Sequence, residues 1–162
     1  MDFITEKTCC FTGHRPEKLN ISETQAKELL KNQILNCIEM GITTFISGMA
    51  RGIDMWGAEI VLELKEHNKD LALVCAIPFD GFEKNWSMPE RNRYNYILSK
   101  CSYKEYICSH YIPACFQIRN VWMVNRSSLV LAMYTGAAGG TKNTIKYAKE
   151  NNVPVKNILI GT

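Results

Sequence analysis

A chain of 162 residues, 46% of them hydrophobic, can bury one substantial core but is short for two, so we predict a single domain over residues 1–162. Its net charge of +3 is dispersed along the chain rather than gathered in a basic stripe, so charge alone neither requires nor excludes a nucleic-acid partner. No apolar run approaches membrane-spanning length, and the opening Met-Asp-Phe lacks the basic start of a signal peptide. We therefore predict a cytoplasmic protein with no membrane partner.

The seven cysteines form no recognisable metal or disulfide framework. Their number is odd, and no two of them are spaced as C-x-x-C, so we predict no metal site. Several fall inside predicted strands and helices, which favours reduced and partly buried thiols.

The first strand and helix are marked by clear boundaries. Residues 7–12 form a compact strand candidate that ends at the Gly-His-Arg-Pro of residues 13–16. Ser22 and Gln25 form a capping-box pattern, which predicts the start of a helix. An apolar stripe at helical spacing follows, and Gly41 ends the helix.

A glycine-containing turn follows the second strand. The short run 43–46 is rich in β-branched and aromatic residues, and residues 55–67 show helical spacing. Between them, residues 47–54 read Ser-Gly-Met-Ala-Arg-Gly-Ile-Asp. The amide groups at a helix start attract anions, and glycine lets a phosphate approach the backbone.

Two charged residues of this turn add to the prediction. Arg51 carries a planar fork that suits phosphate or carboxylate. Asp54 could cap the following helix or accept a hydrogen bond from a ribose hydroxyl. The alternative is that the glycines only shape a tight turn and Asp54 only caps.

The remaining elements continue the alternation of strands and helices. An unbroken apolar run, typical of a strand covered on both faces, is followed by an irregular segment rich in aromatic residues. In chain order we predict a strand at 71–77, irregular structure at 79–89, a helix at 90–100, a short strand at 103–108, a helix at 114–127, a strand at 129–134, a glycine-rich loop at 135–141, a helix to about residue 151 and a strand at 155–160.

This alternation predicts an α/β fold, a doubly wound and mostly parallel sheet with helices on both faces. The loops after parallel strands meet at one edge of such a sheet, where ligands bind. Three of them carry the unusual residues, at 13–15, 47–54 and 136–144. Together they predict a site for a phosphate-bearing ligand.

Several side chains near these loops allow two interpretations. His14 could contact phosphate or act as an acid, or it could be an exposed loop histidine. Arg119 and Asn120 lie on a helix whose other face must be core, so one of them should face the cleft. Trp86 and Tyr94 could form a wall that stacks adenine, although aromatic residues at helical spacing are more often core.

Three carboxylates are candidates for chemistry at a ribose carbon. Glu90 lies between arginine neighbours at a helix start and could stabilise an oxocarbenium-like transition state, or it could be solvated. Glu59 could face the cleft or the solvent. The candidate catalytic residues are Glu90, Asp54 and Glu59.

The loop sequences also resemble a known superfamily. Residues 47–54 resemble the S-G-x-A-R-G-I-D signature of the DNA-processing protein A (DprA/Smf) family. Residues 10–16 and 139–144 resemble the matching loops of the wider SLOG superfamily, and nearly the whole chain is similar to its YpsA-like branch. The resemblance implies a Rossmann-like fold, in bacteria or their mobile elements, and a nucleotide-type ligand related to NAD or ADP-ribose.

Differences from better-known relatives bear on activity. LOG-type phosphoribohydrolases carry P-G-G-x-G-T-x-x-E, whereas residues 138–146 here lack the third glycine and any acidic residue. The resemblance to DprA stops at Ala58, which is followed by glutamate instead of histidine. Binding therefore fits the residues better than turnover.

We thus expect a sensor or regulatory module that binds NAD, ADP-ribose or a nucleoside phosphate and requires no further cofactor. The alternatives are an N-glycosidic nucleotide hydrolase and, less favoured, a protein that binds single-stranded DNA. A homo-oligomer is left open. The expected ligand-binding residues are Gly13, His14, Arg15, Ser47, Gly48, Arg51, Gly52, Asp54, Arg119, Asn120, Gly139, Gly140, Thr141 and Thr144.

Overall fold

Strands and helices alternate throughout residues 1–160, the part of the chain that the computed structural model describes. Every predicted strand and helix is present, with its ends displaced by at most three residues. The strands are β1 (Thr8–Gly13), β2 (Thr44–Ser47), β3 (Ala72–Ile77), β4 (Tyr103–Tyr106), β5 (Leu129–Met133) and β6 (Val155–Asn157). The helices are α1 (Glu23–Glu39), α2 (Ile53–Lys65), α3 (Met88–Lys100), α4 (Cys115–Asn125) and α5 (Gly140–Glu150).

Within the described residues the strands form one sheet in the order β4-β3-β2-β1-β5-β6. All of its neighbouring strands run parallel, so the sheet is fully rather than mostly parallel. The chain builds outward from β1 through β2 and β3 to β4, then returns to the other side of β1 as β5. A crevice therefore opens between the carboxyl ends of β1 and β5, where the strand order reverses.

The sheet is covered on both faces, which confirms the doubly wound architecture. Side chains of one strand alternate between the faces, so Phe11 points to one core and its neighbour Cys10 to the other. Helices α1, α2 and α3 pack on the Phe11 face, while α4 and α5 pack on the Cys10 face. No helix among residues 1–160 is long and apolar enough to cross a bilayer.

The predicted boundaries of α1 are confirmed in atomic detail. The Ser22 hydroxyl accepts from the Gln25 amide at 3.1 Å, and the Gln25 side chain accepts from the Ser22 amide at 3.0 Å. These two bonds satisfy amide groups that no helical carbonyl can reach. Gly41 follows the helix with φ of 98°, a left-handed conformation that favours glycine.

Close backbone approach holds α2 against the centre of the sheet. A Cβ atom on Gly57 would lie 2.6 Å from the buried ring of Phe11. A Cβ atom on Gly13 would lie 2.6 Å from the side chain of Ile53, the first residue of α2. Glycine at both positions therefore lets the start of α2 lie directly beside the carboxyl end of β1.

We expect Gly57→Ala to lower the free energy of unfolding by about 1–3 kcal/mol, because the added methyl group overpacks a rigid buried ring. Urea denaturation measures this change. Gly140→Ala is the matched control, since a Cβ there meets only the Asn120 side-chain nitrogen, at 4.0 Å, and alanine suits a helix. Equal stability of the Gly57→Ala variant and the parent protein would contradict the proposed packing constraint.

Candidate ligand-binding site

A cleft of about 620 Å³ opens at the crevice between β1 and β5. It is bounded by the loops after β1, β2 and β5, by α4 and by the aromatic segment after β3. All of the expected ligand-binding residues border it except Ser47, Gly48, Gly52 and Thr144. Another cavity, of about 440 Å³, lies beside β5 and β6 and is lined by none of the expected residues. The larger cleft is the candidate site because predicted residues from separate loops converge there.

The amino terminus of α5 opens into this cleft. Gly139 is the N-cap residue with φ of 140°, and no side chain caps the helix. A Cβ atom on Gly139 would meet nothing within 4 Å, and one on Gly140 would meet only the Asn120 side-chain nitrogen, at 4.0 Å. The start of α5 therefore borders the cleft with room beside its two glycines and with no side-chain cap among residues 1–160, and free amide groups at a helix start can bind an anion.

The two threonines of α5 have different places. Thr141 borders the cleft beside the glycines. Thr144 is buried, and its hydroxyl donates to the Gly140 carbonyl oxygen at 2.8 Å. Thr144 therefore supports the first turn of α5 from within instead of lining the cleft.

Arg119 and Asn120 both border the cleft, whereas the sequence led us to expect one of them. The Arg119 side chain is buried, with 5% of the residue exposed. Its Nε donates to the Asn120 side-chain oxygen at 2.8 Å, and Nη1 donates to the Gly48 carbonyl oxygen. The guanidinium group thus joins α4 to the loop after β2.

The Arg119 guanidinium lies directly beside Gly48. A Cβ atom on Gly48 would lie 2.9 Å from both Cζ and Nη1 of Arg119. The space beside Gly48 is therefore filled by a side chain of the protein itself.

Ser47 also serves the loop from inside. Its buried hydroxyl donates to the Asp54 carbonyl oxygen at 2.8 Å and accepts from the Met49 amide at 3.1 Å. Met49 is left-handed, with φ of 64°, although it is not glycine. Such a conformation is costly for a long side chain, and the two serine bonds hold it in place.

Asp54 borders the cleft but does not cap α2, because Gly52 occupies the N-cap position with φ of 102°. One carboxylate oxygen accepts from the Ala50 amide at 3.3 Å, and the other is buried without a hydrogen-bond partner among the described residues. Burial raises the pKa of the Asp54 carboxyl from 3.8 to about 6, while positive Arg119 opposes this change. The cleft thus contains a carboxyl group that can exchange a proton near neutral pH.

His14 is not an exposed loop histidine, because only 5% of the residue is accessible to solvent. Its Nε2 atom is buried and has no hydrogen-bond partner within residues 1–160. Burial lowers the pKa of His14, and nearby Lys18 lowers it further. At neutral pH the imidazole is therefore uncharged, with one ring nitrogen free for a ligand.

Three cationic side chains stand at the rim of the cleft. Arg15 is exposed, and Lys18 lies on the short 3₁₀ helix Pro16–Lys18, where no sequence pattern indicated a ligand contact. Arg51 borders the cleft with its fork already paired to the carboxylate of Glu17. Arg15 and Lys18 are consequently better placed than Arg51 to meet an incoming anion.

Two of the three candidate carboxylates lie outside the cleft lining. Glu59 pairs with Arg93 at 3.1 Å and with Lys27 at 3.5 Å, and Glu90 also contacts Arg93, at 3.4 Å. Arg93 further binds Glu23, so the network joins α1, α2 and α3. The structure therefore brings Asp54 alone of the three to the cleft.

Aromatic side chains also line the cleft. Phe82, Trp86 and Phe116 border the cleft, and we call these three residues the aromatic wall. Tyr94 is buried behind Phe82 and Trp86, with ring centroids 5.7 and 5.6 Å away. Of the two residues considered for an adenine-stacking wall, Trp86 lines the cleft and Tyr94 belongs to the core.

We expect the stability of this protein to depend on the ionisation of Asp54. Because the folded state holds this proton more tightly than the unfolded chain does, the stabilisation is complete below pH 3.8 and is lost as the pH rises to about 6. Asp54→Asn mimics the neutral acid and should raise the free energy of unfolding at pH 7 by up to about 3 kcal/mol.

Urea denaturation of the parent protein and the variant from pH 4 to pH 8 measures this effect. Asp70→Asn is the control, since Asp70 is exposed and should show no such divergence. A difference between Asp54→Asn and the parent that stays constant across this range would contradict the assignment.

No group of three or more histidine, cysteine, aspartate or glutamate side chains is arranged to hold a metal ion in the described part of the chain.

Three solved bacterial structures share this fold. The chain matches DprA of Streptococcus pneumoniae with a TM-score of 0.63 and 17% identity, covering 93% of this chain but 49% of that protein. DprA of Helicobacter pylori, which binds single-stranded DNA, gives 0.63 and 15%, covering 93% and 64%. A molybdenum cofactor binding protein of Rippkaea orientalis gives 0.57 and 16%, covering 94% and 76%. These likenesses establish the Rossmann-like fold, and this chain spans about half of the S. pneumoniae protein.

Sequence comparison is more specific. A UPF0398 protein of Bacillus cereus strain B4264 is 26% identical over 159 residues, covering 93% of this chain and 86% of the relative. Another, from B. cereus strain G9842, is 28% identical over 153 residues, covering 89% and 83%. Residues 9–160 match the model of the YspA SLOG family (YpsA). The chain therefore belongs to the YpsA family of SLOG proteins.

Proposed function

We propose that this protein binds a phosphate-bearing nucleotide derivative in the cleft between β1 and β5 and acts as a sensor or regulatory module. The ligand is a nucleoside phosphate or a molecule related to NAD or ADP-ribose. Its phosphate lies at the amino terminus of α5, and its binding alters the affinity of the protein for a partner. Among fold neighbours, the H. pylori protein binds single-stranded DNA and the R. orientalis protein is a molybdenum cofactor binding protein, which supports ligand binding in general.

The uncapped start of α5 is the observation that carries this proposal. This start borders the cleft with no side-chain cap among the described residues, and buried polar side chains line the same cleft. His14 has an unpartnered ring nitrogen, and Arg119 is a buried cation next to Asn120. A phosphate at this position would accept bonds from the helix start while the dipole and the cation offset its charge.

Binding without turnover fits the distribution of carboxylates. Hydrolysis of a glycosidic bond requires a carboxylate near the ribose and a proton donor for the leaving base. Glu59 and Glu90 are held by Arg93 outside the cleft lining, which leaves Asp54. Recognition needs only amide groups, hydroxyls and cations, and these groups line the cleft.

We expect Gly140→Asp to weaken binding of ADP-ribose by about ten- to a hundredfold, because a carboxylate would occupy the space assigned to phosphate. Isothermal titration calorimetry measures the change. The fold should survive, since the space around this Cβ is open and an acidic residue suits a helix start.

Asn143→Asp is the matched control, with the same charge change in the same turn of α5 but at an exposed position outside the cleft lining. It should retain nearly the parent affinity. An equal loss of affinity in both variants would mean that the overall charge of the protein, rather than a phosphate site at the start of α5, governs binding. Unchanged affinity in Gly140→Asp would place the phosphate elsewhere.

Asp54 favours a second candidate function, an N-glycosidic nucleotide hydrolase. Asp54 borders the cleft, one of its buried oxygens has no partner among the described residues, and its raised pKa suits an acid or base near neutral pH. This candidate ranks second because a single carboxyl group must then serve both the ribose carbon and the leaving base.

Single-turnover incubation separates the two functions. With protein in excess over AMP, NAD or ADP-ribose, we expect chromatography to show no release of adenine or nicotinamide beyond that in protein-free samples. Rapid release that is lost in Asp54→Asn and kept in Glu90→Gln would instead establish the hydrolase. Mass spectrometry of small molecules released from the purified, denatured protein would identify a ligand that copurifies.

A further inference from the structure

We propose that the aromatic wall is a binding subsite for the planar base of the ligand, so that the cleft selects a heteroaromatic ring joined to a phosphate over a simple sugar phosphate. This inference rests on the proposed function, since it needs the phosphate site at α5 to fix the other end of the ligand. It adds the residues that recognise the base, Phe82, Trp86 and Phe116.

The aromatic wall is a continuous surface with firm support behind it. The ring centroid of Phe82 lies 5.1 Å from that of Trp86 and 6.5 Å from that of Phe116. Buried Tyr94 supports Phe82 and Trp86 from behind, and Phe79 lies 6.2 Å from Phe116. Rings that pack edge to face in this way hold one another in position, so they present preformed faces to a ligand.

Part of this aromatic surface remains accessible at the cleft. Phe116 is 40% exposed, and Trp86 is only partly buried. Both rings remain accessible even though each packs against Phe82. Trp122 on the same helix as Phe116 shows a different arrangement. The Arg126 guanidinium lies 4.0 Å above its ring, and Phe3 packs edge-on at 5.6 Å. The ring of Trp122 is therefore already packed against Arg126 and Phe3, whereas the aromatic wall borders the open cleft.

Arg119 joins the aromatic wall to the polar end of the cleft. Its Cζ atom lies 6.0 Å from the centre of the Phe116 ring, and its Nε binds Asn120 beside the start of α5. One arginine thus borders both regions, and the cleft of about 620 Å³ lies within the usual range of small-molecule sites. A ligand that fills it should carry an anion at one end and an aromatic ring at the other, as nucleotides do.

Calorimetry with AMP and ribose 5-phosphate tests the inference, because the two probes share the sugar and phosphate and differ in the base. AMP should bind the parent protein more tightly. In Phe116→Leu and Trp86→Leu, which keep an apolar side chain but lose the ring, AMP affinity should fall by about 5- to 150-fold, as expected for a lost stacking contact. Affinity for ribose 5-phosphate should stay within about twofold of the parent value.

Trp122→Leu is the matched control and should keep the parent affinity for both probes. Trp86→Phe restores an aromatic face and should recover most of the AMP affinity. Phe116 is partly exposed, so its leucine variant tests the inference even if a Trp86 variant fails to fold.

The outcomes separate this inference from the proposed function. Equal affinity of the parent for the two probes, or equal losses for both probes in the leucine variants, would overturn the base subsite and leave the phosphate site intact. If neither AMP nor ribose 5-phosphate binds, both the base subsite and the proposed phosphate site are overturned. If the protein does not bind AMP but binds a thymidine oligonucleotide tightly and in a salt-dependent way, both the base subsite and the proposed function are overturned. The cleft would then be a nucleic-acid site.

Discussion

The buried guanidinium of Arg119 is the interaction on which the geometry of the cleft depends. It donates to the Gly48 carbonyl oxygen, 71 residues away in the chain, and to the side chain of Asn120. Helix α4 packs on one face of the sheet, while the loop containing Gly48 leads to a helix on the other face. Arg119 therefore links α4 to the loop after β2 beside the cleft.

The cost of burying this cation is offset in part by the Gly48 carbonyl oxygen and by Asp54 at the start of α2. Burial lowers the pKa of Arg119, and the nearby Asp54 carboxylate raises it. The same burial raises the pKa of Asp54, so each group is costly to ionise alone. Ser47 keeps the loop in a strained conformation that places the Gly48 carbonyl within reach of the arginine. The loop is consequently specified by its interior contacts as much as by its exposure to ligand.

Sequence patterns predicted the fold well because local signals and global topology agree. The capping box at Ser22 and the apolar runs of the strands depend on nearest neighbours, and the structure contains the elements that they predict. The glycines and arginines that follow the strands also form local patterns, and these patterns predicted the loops that border the cleft. The pattern could not show that Gly48 makes room for Arg119, since those residues are far apart in the chain.

Local sequence patterns also could not predict which charged side chains point into the cleft. Glu90 and Glu59 lie on helices near the site, yet Arg93 holds both outside the cleft lining. Lys18 lies in a turn with no distinctive motif and is brought to the rim only by the path of the chain after β1. Such outcomes depend on how helices pack against one another, and one sequence read locally contains little information about that packing.

The central position of β1 has a consequence for synthesis on the ribosome. This strand is made first, but one of its two neighbours, β5, is made more than a hundred residues later. Helices α4 and α5, which supply Arg119 and the open helix start, also come late. A nascent chain that has paired β1 with β2 through β4 therefore has an uncovered sheet face and an exposed β1 edge. The cleft forms only when β5 has paired with that edge and α5 has followed it, so a bound ligand would mark a chain in which β5 has joined β1.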